Sequence, residues 1–401
     1  MLKRIRLTDF KSFVDEEVEL APLTLLVGAN ASGKSNFLDA LRFLKGLTLD
    51  LTVREVLDGE ESASSDAWPG IRGGSQEAAW SSESSFSITS TWRAPNDEIP
   101  PLFGNEIERE PQHIDITHEI TCRISPSIAC ESEWIERGGF RMPSPFKDNP
   151  GSILGPSNLF RLDKGKLDRS LPDDPLSLQL LPLHSLRVAV DGVRFLDIQP
   201  AAMREYGRRG APLGDEGKNF SGVLAALSDD PIVRHSFVAW LREVCAPEIE
   251  GLDFVEVEKL GDVMAFFVEK DGTQISARSI SDGTLRFLGT LLALHTAKPG
   301  DVLLIEEVGE GLHPTRIQFL LELLESAVRK RDIQVIATTH SPVVLHWLAP
   351  ERLREVIVFG RIPGRPGSVV RRLGDITYFE KVIQREEIDE LFSTGWLETA
   401  L

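Results

Sequence analysis

Two kinds of hydrophobic spacing succeed each other along this chain, and their order outlines a fold before any motif is read. Residues 2–9 and 14–20 alternate apolar and polar side chains with the period of two expected of half-buried strands. Phe10-Lys11-Ser12-Phe13 lies between them, and Leu23-Thr24-Leu25-Leu26-Val27 follows as an apolar run. The pattern predicts two strands of a sheet leading into a third, 23–28. Leu38, Leu41, Phe43 and Leu44 then fall on one broad face of a helix from Ser35 through Leu47. From about 50 to 185 the periodicity weakens. Residues 59–92 are rich in Ser, Glu and Gly and carry Trp68, Trp80 and Trp92, while short alternating runs at 84–92 and 114–125 predict antiparallel strands. Segment 141–176, dense in Pro, Asp and Lys, reads as a long loop. Helical spacing returns over 217–246, and residues 252–257, 262–269 and 273–278 alternate as strands, with Asp271-Gly272 at a hairpin turn.

From 279 the signal strengthens. A helix is predicted from near Ser281, a buried strand at Asp301 to Ile305, a helix from Leu312 to Arg329, and a second buried strand at Ile333 to Ala337. A short helix from Pro342, a hairpin of 354–360 with 368–373, and a helix near 381–392 complete the chain. Strand–helix alternation implies an α/β fold with a largely parallel or mixed sheet flanked by helices, plus an antiparallel β lobe and an inserted variable region. The expected parts are 1–48, holding the loop after the third strand; 49–185, a β-rich variable insertion; 186–251, mostly helical; 252–360, the second half of the α/β part; and 361–401, a hairpin and helix tail.

Composition narrows the function classes. The 401 residues suffice for one large elaborated domain or two lobes, and a net charge of −18 argues against a generally basic, nucleic-acid-coating protein. Arg204, Arg208 and Arg209, and Arg361, Arg365, Arg371 and Arg372, are either pieces of a local basic groove or solvated surface. Cys122, Cys130 and Cys245 form no metal-ligand spacing and read as reduced thiols of a cytoplasmic protein. No run of about 18 apolar residues occurs, so no membrane span is expected.

The candidate chemistry begins at Gly28-Ala29-Asn30-Ala31-Ser32-Gly33-Lys34-Ser35, which fits the phosphate-loop pattern between a strand and a helix. Glycines let the backbone curl so that successive N–H groups, with the positive end of the helix, cradle an anion. Lys34 would reach the β- and γ-phosphates of ATP, and the Ser35 hydroxyl would hold Mg²⁺. Asp301-Val302-Leu303-Leu304-Ile305-Glu306-Glu307 is an apolar strand ending in two carboxylates. Glu306 is assigned to the magnesium shell and Glu307 to orienting and deprotonating the attacking water. Ser281 and Gly283, at a predicted helix start, make a second small anion site. One nucleotide does not need two such cradles in one subunit, whereas two subunits facing head to tail do. Ser281 as a plain helix cap is the alternative. His340, ending the neighbouring strand in Thr338-Thr339-His340-Ser341-Pro342, is placed to contact the γ-phosphate or the water, and His313 is placed at the dimer seam.

Taken together and in order, these motifs resemble the ABC-type ATPases of the SMC/RecF/OLD branch, close to standalone bacterial AAA-family ATPases. The opening Ile5-Arg6-Leu7-Thr8-Asp9-Phe10-Lys11-Ser12-Phe13 is similar as well. The resemblance covers roughly residues 1–48 and 252–360 and implies ATP sandwiched between two heads. Residues Gly28, Asn30, Ala31, Ser32, Gly33, Lys34, Ser35 and Asn36, with Glu306 and Glu307, would come from one subunit, and Ser281 and Gly283 from the other. It implies a homodimer, or a higher oligomer built from it, coupled to a separate effector such as a nuclease in anti-phage defence. Alternatives are a RecF-like ATP-dependent DNA-binding repair protein and an ATP-bound scaffold that does not turn over. No residue is assigned to the family's glutamine loop, for which Gln112, Gln179 and Gln199 are candidates.

Overall fold

A computed structural model of the chain describes residues 1–49, 51–60, 67–80, 83–95, 113–143, 185–244, 249–257, 260–377 and 379. The predicted helix near 381–392, Gln112, Gln179 and Cys245 lie outside them.

Three sheets organise the described residues. An antiparallel sheet joins β1 (Leu2–Phe10), β2 (Phe13–Glu19), β4 (Ser85–Pro95), β5 (His113–Arg123), β6 (Ala129–Arg137) and β7 (Phe140–Pro143) in the order β2-β1-β4-β5-β6-β7. A mixed sheet runs β16-β15-β3-β14-β13-β8, from β3 (Leu23–Val27), β8 (Val193–Leu196), β13 (Val302–Ile305), β14 (Gln334–Thr339), β15 (Ile357–Gly360) and β16 (Val369–Arg372). Only β16 runs antiparallel to its neighbour in that sheet. A smaller antiparallel sheet holds β9 (Gly207–Arg208), β10 (Ile249–Val257), β11 (Asp262–Glu269) and β12 (Gln274–Ser276).

One expectation is corrected here: β3 does not continue the sheet of β1 and β2. Both edges of β1 are already taken, by β2 and β4, and those strands alternate in burial. All five residues of β3 are buried, so it needs cover on both faces and finds it between β14 and β15.

The mixed sheet is a wall between two cores. Leu25, Val27, Leu303, Ile305, Val335 and Ala337 face one core, built with helices Asp282–Thr296 and Pro314–Arg331. Leu26, Val302, Leu304 and Ile336 face the other, shared with helix Lys34–Gly46 and the antiparallel sheet. Alternation along each strand thus serves two layers at once, and the loops that follow β3, β14, β13 and β8 emerge along one edge. Among the described residues no helix is long and apolar enough to cross a membrane.

Candidate functional site

At the end of β3 the chain must turn sharply against β15. A Cβ on Gly28 would stand 2.2 Å from the Phe359 carbonyl oxygen, and Gly28 has φ +149°. Ala31 and Gly33 also take positive φ, which completes the curl. Lys34 opens the following helix, and its buried Nζ donates to the Gly28 carbonyl at 2.5 Å and the Ala29 carbonyl at 3.0 Å. No side chain caps that helix, so its first-turn N–H groups stay open to an anion. The Ser32 hydroxyl is buried without a hydrogen-bond partner, and a phosphate oxygen is an acceptor that would satisfy it. Asn30 and Ser35 are exposed and Asn36 is half-buried, so the loop's rim is open.

Behind the loop sits a buried ion cluster. Asp39, on the same helix, accepts from Lys11 Nζ at 2.6 Å and from Arg72 Nε at 3.1 Å. Lys11 Nζ also donates to the Arg72 carbonyl at 2.6 Å, and the Arg72 guanidinium donates to the Ser35 carbonyl. The cluster ties the β1–β2 turn to the helix that carries the loop. Removing Lys11 or Asp39 would strand a buried charge, a loss of about 3–5 kcal/mol, whereas Arg72 is part-exposed and its loss leaves the buried pair intact. Sequence reasoning missed Lys11, Asp39 and Arg72. The one available signal was a carboxylate, Asp39, placed among the apolar positions of an amphipathic helix.

The two carboxylates follow the end of β13. Glu306 N–H donates to the Leu196 carbonyl at 3.1 Å, which sets the carboxylate beside the end of β8. Burial pushes its carboxyl above the usual range; Arg72 and Arg42 oppose that shift, and Asp197 and Asp39 add to it. Glu307 then adopts φ +50°, unusual for a side chain of this size, and is held there by its N–H donating to Thr338 Oγ1 at 3.0 Å. The turn aims Glu307 at His340, whose Nδ1 lies 2.6 Å from Oε2. The contact is a hydrogen bond between the imidazole ring and the carboxylate. Adjacent acids of a strand would face opposite sides, and the change of direction after Ile305 releases both from that constraint. Of the three candidate glutamines, Gln199 follows β8 on this same edge, with its Nε2 donating to Asp197 Oδ1 at 2.7 Å.

Ser281 and Gly283 stand apart from this cluster. Ser281 caps helix Asp282–Thr296, accepting from Thr284 N at 3.3 Å, and both Ser281 and Asp282 are exposed. Arg204 braces the turn through the Ile280 carbonyl at 2.8 Å and Asp282 Oδ1 at 2.5 Å. Gly283 is buried, and a Cβ there would stand 2.2 Å from the Gly311 carbonyl oxygen. Packing within the chain therefore already demands glycine at that position. Among the described residues no hydrogen bond or ion pair joins the turn to the phosphate loop. His313 caps helix Pro314–Arg331 through Nδ1, which accepts from Thr315 N at 3.4 Å.

Most of the arginines of the two clusters are ion-paired within the chain. Arg204 pairs with Asp282, Arg208 with Asp262, and Arg209 with Asp229 and Glu256. Arg365 and Arg371 converge on Glu16, and Arg372 reaches Glu19. Carboxylates of the same chain thus partner six of the seven guanidiniums, as the acidic excess of the chain favours.

A phosphate loop, a strand ending in paired acids and a histidine at the next strand end thus gather along one edge of a mixed α/β sheet, an arrangement that suits nucleotide binding. Residues 1–135 match the family model described as "AAA ATPase domain", and residues 153–346 the one described as "AAA domain, putative AbiEii toxin, Type IV TA system". Over 206 residues the chain is 25% identical to endonuclease MutS2 of Carboxydothermus hydrogenoformans, covering 48% of this chain and 25% of that one. Over 62 residues it is 47% identical to the DNA replication and repair protein RecF of Synechocystis sp., covering 14% and 16%. The chain thus spans a quarter or less of the length of the curated relatives it matches. Over these segments the chain is similar to AAA ATPase domains and to part of RecF and MutS2. Solved structures similar to it include an SMC head bound to the C-winged helix domain of ScpA, at TM-score 0.48 and 14% identity over 93% of this chain and 98% of that one. The SMC head domain from Thermotoga maritima gives 0.42 and 13% over 92% and 98%.

Proposed function

We propose that the chain binds Mg·ATP on the 28–36 loop and hydrolyses it to ADP and phosphate within a head-to-tail homodimer. The observation that carries this reading is the placing of the Glu307–His340 pair one strand away from a loop with an unsatisfied buried hydroxyl. Backbone N–H groups and Ser32 bind the phosphates, and Lys34 turns from the loop carbonyls to the β- and γ-phosphates. Mg²⁺, when bound, neutralises phosphate charge. Ser35 and Glu306 are the oxygens that would hold it. Among the described residues no group of three or more His, Cys, Asp or Glu side chains gathers, which suits a cation bound by one or two protein oxygens plus substrate phosphates. Glu307 keeps one carboxylate oxygen on His340 and has the other for the attacking water, whose proton it takes. Ser281 of one subunit, on a turn whose packing requires Gly283, closes over the nucleotide of the other.

The exposed Ser281 turn supports that dimer, since among the described residues its hydroxyl bonds only Thr284 of the helix it caps. We further assign the dimer to a cytoplasmic system in which occupancy is passed to an effector protein such as a nuclease. The toxin–antitoxin wording of one matching family supports a defence setting. A RecF-like DNA-binding role is the second reading, favoured by the RecF similarity and disfavoured by the ion-paired arginines. The test is Glu307→Gln, assayed for phosphate release and for binding of a fluorescent ATP analogue. Turnover should fall by about 10²–10⁴-fold with affinity retained. Turnover at the parent rate would remove Glu307 as the base.

A further inference from the structure

The phosphate loop is framed from behind by the β15–β16 hairpin. Phe359, on β15, sets its carbonyl against Gly28, while Ser368, just before β16, sets its hydroxyl against Gly33, where a Cβ would be 2.6 Å away. Both glycines of the curl are therefore in contact with one element. Ser368 does not act alone. Its Oγ lies 2.8 Å from that of Ser12, 356 positions away in the chain, and its N–H donates to the Ser12 carbonyl at 2.7 Å. Ser12 Oγ in turn accepts from Asn36 Nδ2 at 2.8 Å. The two serines are 5% and 2% exposed, so this is a buried link rather than a solvated contact. Gly33 and Asn36 bracket Lys34 and Ser35, which places the hydroxyl pair against both ends of the segment that would meet the phosphates.

The hairpin has its own anchor. Glu16, on β2, is buried and accepts from Arg365 at 2.7 Å, Arg371 at 3.1 Å and the Val370 N–H at 3.2 Å. A buried carboxylate with three donors fixes the hairpin against the β1–β2 turn, and the turn supplies Ser12.

We propose that the 357–372 hairpin is a positioning element for the phosphate loop, acting through Ser368, Ser12 and Asn36, and that hairpin docking and nucleotide binding are coupled. The proposal rests on the loop being the phosphate site. Coupling is reciprocal: a hairpin that favours the curled loop is itself held more firmly when nucleotide holds the curl. Hydrogen–deuterium exchange on the full chain, with and without Mg·ATP, reads this directly. Slowed exchange is expected both in residues 28–46 and in the hairpin. Ser368→Ala should lose the hairpin response and bind nucleotide about tenfold more weakly, the scale of one buried hydrogen bond. Glu16→Gln, remote from the loop, should weaken binding in the same direction. Protection confined to 28–46, or parent affinity in both variants, overturns the coupling and leaves the phosphate site standing. Absence of protection throughout overturns the phosphate site and the coupling together. The parent measurement decides even if a variant fails to fold.

Discussion

The 28–36 loop and the 279–283 turn are both glycine-containing starts of helices, yet they are built in opposite ways. The loop is recessed: Ser32, Gly33 and Lys34 are buried, Ser32 lacks a partner, and an ion cluster and a hairpin brace it from behind. The 279–283 turn is presented: Ser281 and Asp282 face solvent, and the buried Gly283 is used up against the Gly311 carbonyl. A recessed cradle with an unsatisfied donor can complete a site from within one chain. A presented one with satisfied contacts either caps its own helix and no more or, as proposed above, completes a site that belongs to another molecule. The same local chemistry thus sits in two opposite surroundings.

Substitutions can break that contrast. Lys34→Ala should weaken nucleotide binding on the order of 100-fold, since charge-assisted bonds to phosphate are the strong ones; isothermal titration would show it, and an unchanged affinity would deny the loop its role. Gly283→Ala drives a Cβ into the Gly311 carbonyl, so stability without any nucleotide should drop by about 1–3 kcal/mol in a denaturant titration. A loss seen only with nucleotide would instead make Gly283 a ligand contact. Ser281→Ala costs the cap, about 1 kcal/mol, whereas Ser281→Asp restores a good cap but sets a negative charge against any phosphate. If the turn works only as a cap, the aspartate variant behaves as the parent. If it closes over a partner's nucleotide, that variant is stable and fails to assemble with ATP. The smallest effect concerns Glu306. Its carboxyl is held above the ordinary range by burial, so the folded chain retains a proton that the unfolded chain has released. Stability contributed at this position is greatest at low pH and declines from about pH 4 upward until the raised value is passed. Glu306→Gln should flatten that part of a melting-temperature profile.

What could be read without coordinates was whatever is local. The phosphate loop, Glu306-Glu307, Ser281 and His340 each sit in a contiguous string whose residue types imply their chemistry, and the helices that follow them announce themselves by spacing. The meeting of Glu307 with His340 was inferable only from strand order, and the left-handed turn that permits it leaves no trace in composition. Lys11, Asp39 and Arg72 escaped because the contacts are 28 to 61 positions apart, and although Asp39 stands among apolar helix positions, Lys11 and Arg72 look like ordinary surface charge. Strand β8 escaped because Val193–Leu196 is four residues, too few to show a period, and with it went the placing of Gln199. Transfer of β3 to a second sheet was invisible for a different reason: an all-apolar strand says that both faces are covered, not by what.

The most direct test is sedimentation velocity of the Glu307→Gln protein with and without saturating Mg·ATP. A shift from monomer to dimer on adding ATP, absent when Ser281→Asp is combined with it, is the result required if each subunit seals the other's nucleotide. A protein that remains monomeric at saturation, while the parent still releases phosphate, would show that one chain suffices and that the Ser281 turn does no more than cap its helix.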